Sequence, residues 1–117
     1  MRVSTSTVRK KRHKKWLERA KGYHGGRHRL VKVAMETVPR GEEYAFRGRK
    51  ERKRDFRSLW ILRINAACRQ RDLSYSRFIS GLSKADIRLN RKQIADVAVN
   101  DPVAFDKLVA AAKEHLG

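Results

Sequence analysis

Apolar residues are distributed very unevenly along this chain. From Phe56 they become so dense that they cover nearly the whole circumference of three helical turns, at Leu59, Trp60, Ile61, Leu62, Ile64, Ala66, Ala67 and Cys68. This pattern predicts a helix wrapped by other helices. The preceding residues 47–57, RGRKERKRDFR, have almost no apolar face, so they have no reason to pack on protein. No stretch alternates with a period of two for long enough to predict a sheet, so we expect an all-α fold.

Two helical segments are predicted in the first half. The first follows the candidate N-caps of residues 4–7 and ends at Gly22, with too few apolar residues for a stripe. Residues 23–26 then form a glycine loop, and a second helical pattern extends from residue 27 to about residue 72. Pro39 and Gly41 interrupt it, and a proline inside a helix costs about 3 kcal/mol. We therefore expect a kink or a break at residues 38–41, with Gly48 weakening the helix again.

Three shorter amphipathic helices are predicted after the long one. Ser74 is the expected N-cap of the first, and Asn90 with Gln93 forms a capping-box pattern for the second. Asp101 followed by Pro102 is the expected start of the last helix. These helices and the end of the long one predict a compact helical domain.

Composition and charge divide the chain into two different parts. The 117 residues suffice for one ordinary domain and carry 30 Lys or Arg against 12 Asp or Glu, a net charge of +18. Residues 1–57 hold 20 basic and 6 acidic side chains, and the remainder holds 10 and 6. We predict a basic arm over residues 1–57, without an interior of its own and largely disordered when free. Residues 58–117 are predicted to form a self-supporting α-helical domain, the head.

This charge predicts a polyanionic partner. Six to ten phosphate contacts would make affinity fall by about 10³ to 10⁵ between 50 and 200 mM salt. Cations on every side of the helices favour enclosure by folded RNA over docking on one groove. Trp16, Tyr23, Tyr44 and Phe46 are interleaved with the cations, and either base stacking or local packing would explain them. Trp60 is interpreted as a core residue.

No catalytic or metal-binding constellation is predicted, and no cofactor. His24 and His28 have an i, i+4 spacing, but two glycines separate them and no Cys or carboxylate completes a ligand set. Cys68 is the only cysteine, so a disulfide within the chain is excluded, and its apolar neighbours indicate an inert thiol. No apolar run approaches the roughly 20 residues that cross a bilayer.

One segment resembles a known family closely. Residues 53–69, KRDFRSLWILRINAACR, are similar to the characteristic segment of the bacterial large-subunit ribosomal protein L20 family, in the spacing of Lys53, Arg57, Trp60, Ile61, Arg63, Ile64, Asn65 and Arg69. The likeness continues without gaps through RHKKWLERAKGYHGGRH (residues 12–28), YAFRGRKERKRDFR (44–57), LSYSRFISGL (73–82) and NRKQIADVAVNDPVAFDKLV (90–109).

The resemblance implies a structural protein of the large ribosomal subunit that binds its main rRNA early and helps that RNA fold during assembly. In the family a basic helical arm threads between rRNA helices, and the small helical domain also touches rRNA. The implied partners are large-subunit rRNA and neighbouring ribosomal proteins, in a bacterial cytoplasm or a plastid. Repression of the protein's own message is a further family property. Pro39, Gly41 and Gly48 depart from the strong helix formers or acid usual in relatives.

The rRNA-binding residues are predicted to be the cations of the arm. They are Arg9, Lys10, Lys11, Arg12, Lys14, Lys15, Arg27, Arg29, Lys32, Arg47, Arg49, Lys50, Arg52, Lys53, Arg54 and Arg57. A DNA-binding architectural protein is the main alternative, although neither a leucine zipper nor a clear helix-turn-helix spacing is present. A lipid-binding amphipathic helix and an organelle transit peptide are weaker alternatives, because the arm lacks an apolar face and the family likeness begins within the first dozen residues.

Overall fold

A computed structural model describes residues 4–116, and it is helical throughout. The elements are α1 (Ser6–Arg19), a 3₁₀ turn (Gly25–His28), α2 (Val31–Arg69), α3 (Tyr75–Lys84), α4 (Arg91–Asn100) and α5 (Pro102–Glu114). The predicted all-α class is therefore confirmed, with a long helix and three short ones after it. Residues 4–116 contain no strand.

The chain divides into two compact units at Lys50 and Glu51, so that α2 contributes to both. The first unit contains α1, the 3₁₀ turn and the first half of α2. The second contains the rest of α2 with α3, α4 and α5. The functional division at residues 57 and 58 stays a prediction.

The long helix α2 continues through Pro39, so of the kink or break expected at residues 38–41 the break is wrong, while the kink stays a prediction. Pro39 is exposed, so its ring displaces no core side chain. Next to it, the Thr37 hydroxyl donates a hydrogen bond of 2.8 Å to the carbonyl of Val33. Packing explains the glycine at position 41, since a Cβ there would lie 2.7 Å from the Tyr23 hydroxyl oxygen.

The first unit has a small core, which corrects the expectation that the arm lacks an interior. Ala20, Ala34 and Val38 are buried, and Trp16, Leu17 and Tyr23 pack against them. The few apolar residues of α1 therefore suffice for a contact, because they gather at the C-terminal end of the helix and meet the start of α2. The core remains small, with three buried side chains.

The second unit has a larger core, built from every one of its helices. Eleven residues are buried together: Ile64, Ala67, Cys68, Leu73, Phe78, Leu82, Ile94, Ala95, Phe105, Val109 and Ala112. At its centre the rings of Phe78 and Phe105 lie 5.4 Å apart between centroids. The expectation that the apolar part of α2 is wrapped all round is wrong for Phe56, Leu62 and Ala66, which are exposed. The other helices cover one side of α2 only.

Local signals set the helix ends of the second unit. Asn90 and Gln93 form the predicted capping box, with bonds of 2.9 and 3.1 Å between each side chain and the other residue's backbone N–H. The Asp101 carboxylate accepts the N–H of Ala104 at 3.0 Å, also as predicted. Ser74 is the N-cap of α3 by position, but its side chain makes no capping bond.

Candidate nucleic-acid interface

The first helix exposes a nearly continuous set of cations. Six of its fourteen residues are predicted contacts, and all six are exposed: Arg9, Lys10, Lys11, Arg12, Lys14 and Lys15. Consecutive helical positions are about 100° apart, so these side chains extend in several directions around the axis. The 3₁₀ turn and the start of α2 add exposed Arg27, Arg29 and Lys32.

The middle of α2 is the second cationic segment. Arg47, Arg49, Lys50, Arg52, Lys53, Arg54 and Arg57 are all exposed. Tyr44 and Phe46 are exposed as well, and each carries a cation over its ring: the Arg47 guanidinium is 5.5 Å from the Tyr44 centroid and the Lys50 Nζ is 4.4 Å from that of Phe46. Trp16 and Tyr23, by contrast, pack against the small core of the first unit.

Few of these cations have an acidic partner. Among the sixteen predicted contacts, Arg47 alone forms an ion pair within residues 4–116, at 3.3 Å from Glu43. The other ion pairs of this region use different residues, such as Arg19 with Glu42. An exposed pair like that of Arg47 contributes little to stability, so even Arg47 can exchange its carboxylate for a phosphate at small cost.

Some predicted residues are brought together in clefts. Lys10 and Lys14 share one cleft with His13, Lys21 and His28 in the first unit. In the second unit, Arg52 and Lys53 line a cleft of about 290 Å³. The other three residues of that cleft were not among the predicted contacts: Phe56, Trp60 and Lys92.

Lys92 is a candidate contact that the sequence reasoning did not include. It lies in the first turn of α4, beside Arg91, and that turn contains no acidic residue. Cations are unfavourable there because the positive end of the helix dipole repels them. Two basic residues directly after the Asn90 cap were therefore the available signal that this helix start is a candidate anion contact.

Trp60 is only half-buried, although we interpreted it as a core residue. One part of the indole packs against the large core, and another lines the cleft with Phe56. It also borders a second cleft of about 550 Å³, where Arg63, Asn90, Gln93 and Asp96 are among the lining residues.

His28 contacts the backbone, and Cys68 lies in the large core. His28 Nδ1 lies 2.9 Å from the carbonyl oxygen of Tyr23, and no group of three possible metal ligands occurs in the described chain. Cys68 is fully buried. Burial raises the pKa of its thiol to about 11, while the positive charge of Arg71 acts in the opposite direction.

Sequence comparison with known proteins indicates a family. The sequence profile of a family described as ribosomal protein L20 matches residues 2–108. The chain belongs to the ribosomal protein L20 family. Similar curated proteins include "Large ribosomal subunit protein bL20" of Staphylococcus haemolyticus, 56% identical over 115 residues, and of Staphylococcus epidermidis, 54% identical, each over 98% of both chains. The protein of that name from Roseiflexus sp. is 57% identical over 113 residues and 97% of both chains.

Membership in the L20 family identifies the chain as a ribosomal structural component and not an enzyme. The candidate interface therefore has no reacting group to position. Within residues 4–116, no helix is both long enough and apolar enough to cross a membrane.

Proposed function

We propose that this protein is a structural constituent of the large ribosomal subunit, that it binds large-subunit rRNA directly, and that it promotes folding of that RNA during subunit assembly. Its other partners are then neighbouring large-subunit proteins, and its location is the bacterial cytoplasmic or plastid ribosome. The coarser identity rests on the family.

One observation supports direct RNA binding above the others. All sixteen predicted contact residues are exposed, and fifteen of them have no ion-pair partner in the described part of the chain. Lysine and arginine side chains in that state repel one another. Neutralisation by phosphates removes that repulsion and releases counterions from the nucleic acid, so binding is favourable and salt-dependent.

The positions of the cations on the protein support the proposed assembly role. They occupy several directions around α1 and continue along α2, so one protein can contact phosphates of more than one RNA helix. Screening the repulsion between those helices favours the compact RNA over the open one.

The proposal is tested by removing three adjacent cations of α2. Replacing Arg52, Lys53 and Arg54 by Ala should lower the slope of log affinity against log salt by about 1 per lost phosphate contact. The measurement is filter binding of the full-length protein to large-subunit rRNA over a series of salt concentrations.

The charge-matched control replaces Lys84, Arg88 and Lys107 by Ala, three exposed residues outside the predicted set. It lowers the net charge by the same amount, and we expect a smaller change of slope. Equal slopes for the α2 variant and the unaltered protein would refute the assignment of these residues. Tighter binding of competing duplex DNA than of rRNA would favour an architectural DNA-binding protein instead.

A further inference from the structure

The cleft between Phe56, Trp60 and Lys92 carries an inference that goes beyond phosphate binding. We infer that this cleft is a stacking site for an unpaired RNA base, with Phe56 as the exposed ring and the surrounding cations holding the adjoining phosphates. The inference rests on the proposed function, because it names the part of the RNA that this site takes.

The aromatic pair has the geometry of a partly open platform. Phe56 and Trp60 are one helical turn apart on α2, with ring centroids 6.1 Å apart and planes inclined by 36°. Phe56 is 48% exposed, whereas Trp60 packs against the large core. The tryptophan therefore fixes the position of the pair, and the phenylalanine leaves ring surface available to a ligand.

The charges around the pair select an anionic ligand. Arg52 and Lys53 precede Phe56 by four and three residues, which places them on the same side of α2. Lys92 comes from the start of α4, where its charge is unfavourable for the helix itself. Among the described residues, no carboxylate lines this cleft.

An unpaired nucleotide combines the two properties that this cleft requires. Its base is a flat ring that can stack on an aromatic side chain, and its phosphate is an anion. In a duplex the phosphates are accessible but the ring faces of the paired bases are not. A duplex would therefore contact the cations and make no stacking contact with Phe56. The volume of about 290 Å³ is at the small end of ligand clefts, which suits one base.

The test compares a short single-stranded RNA with the same strand paired to its complement. The two tryptophans of the chain would give mixed fluorescence, so Trp16→Phe is introduced to leave Trp60 as the single reporter. The single strand should quench Trp60, and the duplex should not, although it carries more phosphates.

Removing the ring should affect the single strand selectively. Phe56→Ala should weaken single-strand binding by about 5- to 150-fold, the range expected from the loss of one base stack, and leave duplex affinity unchanged. Phe56→Tyr should retain the binding. The matched control is Leu62→Ala on the same helix, since Leu62 is 65% exposed and lies outside the cleft. Phe56→Leu, which keeps an apolar side chain without a ring, replaces Phe56→Ala if circular dichroism shows that the latter misfolds.

The outcomes separate this inference from the proposed function. If Phe56→Ala binds the single strand like the unaltered protein, or loses equal affinity for both RNAs, the base-stacking site is refuted. Unchanged fluorescence of Trp60 on addition of the single strand refutes it as well. It is also refuted if the cleft binds a neighbouring ribosomal protein and RNA binding does not change. Retained binding of large-subunit rRNA would leave the proposed function standing in each case, whereas its absence in the unaltered protein would refute that function itself.

Discussion

Gly81 marks the closest approach of α3 to α5. A Cβ at this position would lie 2.8 Å from the Cα and 2.9 Å from the carbonyl carbon of Ala112. Those neighbours are backbone atoms, so they cannot move aside as the end of a flexible side chain would. The two helices meet at this point because residue 81 has no side chain.

We therefore expect Gly81→Ala to destabilise the second unit by about 1–3 kcal/mol or more, the range for overpacking. Urea denaturation followed by circular dichroism measures the change. Gly48→Ala is the matched control, because outside the adjacent backbone of α2 no atom lies within 4 Å of its added Cβ. That control should be neutral or stabilising by up to about 1 kcal/mol, since Ala favours the helix more than Gly. Equal losses in the two variants would contradict the packing argument.

Cys68 provides a second test at the residue scale, and its pH dependence has a definite sign. Because burial raises the pKa of the thiol to about 11, the folded protein holds very little thiolate at pH 8. Alkylation should then be at least about 100-fold slower in the folded chain than in guanidinium, where the thiol has an ordinary pKa of about 8.5. Mass spectrometry can follow the reaction, and the chain has a single cysteine to label.

The raised pKa of Cys68 changes the free energy of unfolding only at pH values above the ordinary pKa of a thiol. The unfolded chain releases the thiol proton more readily, so stability is constant below about pH 8.5 on this account and falls as the pH rises beyond it. Cys68→Ala should lack this additional fall. A folded protein that alkylates as fast as the unfolded one would show that the thiol is accessible.

Helix caps are the features that the sequence predicted best at the scale of elements. The Asn90–Gln93 spacing and the Asp101–Pro102 pair depend on local chemistry alone, and both were confirmed. Ser74 was predicted at the right position, but its hydroxyl lies near Ser76 Oγ, at 3.4 Å, instead of bonding a helix N–H. A sequence shows where a cap can form and not which bond the side chain makes.

The caps of α4 and α3 should therefore differ in energy. Asn90→Ala should cost the second unit about 1 kcal/mol, because it leaves a backbone N–H of the first turn without its partner. Ser74→Ala removes no capping bond and should stay within about 0.5 kcal/mol of the unaltered protein. Thermal unfolding of the two variants measures both values. A loss for Ser74→Ala as large as that for Asn90→Ala would contradict the observed hydrogen bonds.

The long helix shows where local reasoning fails. Pro39 and Gly41 are helix breakers in isolation, and of the kink or break that they predicted, α2 has no break. The compensation is tertiary: Val38 beside them is buried against α1 residues, and the Tyr23 hydroxyl occupies the space at Gly41. No pattern within one helix contains those contacts, so sequence alone could not reveal them.

The candidate site also has features that the sequence could predict and features that it could not. Exposure of the sixteen cations could be predicted, because lysine and arginine side chains are almost never fully buried without a partner. The grouping of Lys92 with Phe56 and Trp60 could not, since it depends on how the helices of the second unit pack together. Residues far apart in sequence become neighbours only through that packing.

At the scale of the whole molecule, the two units differ in how much apolar surface stabilises them. Within residues 4–116, three residues are buried together in the first unit and eleven in the second. Ordering each residue costs backbone entropy, and buried apolar area is the main term that offsets it. The first unit therefore gains much less from folding than the second, while it carries most of the positive charge.

Hydrogen exchange of the free protein should reveal this difference. Amides of α3, α4, α5 and the last turns of α2 should exchange slowly, whereas those of α1 and the start of α2 should exchange rapidly, because opening the small core costs little. Adding large-subunit rRNA should slow exchange at the amides of α1 and the start of α2 more than at any others. The phosphates remove the charge repulsion that opposes folding of these helices. Trp16→Ala is the matched variant: it should abolish the remaining protection of α1 and leave α5 unchanged. Uniform slow exchange from α1 to α5 in RNA-free protein would contradict this account, because it would mean that the arm is stable without a polyanion.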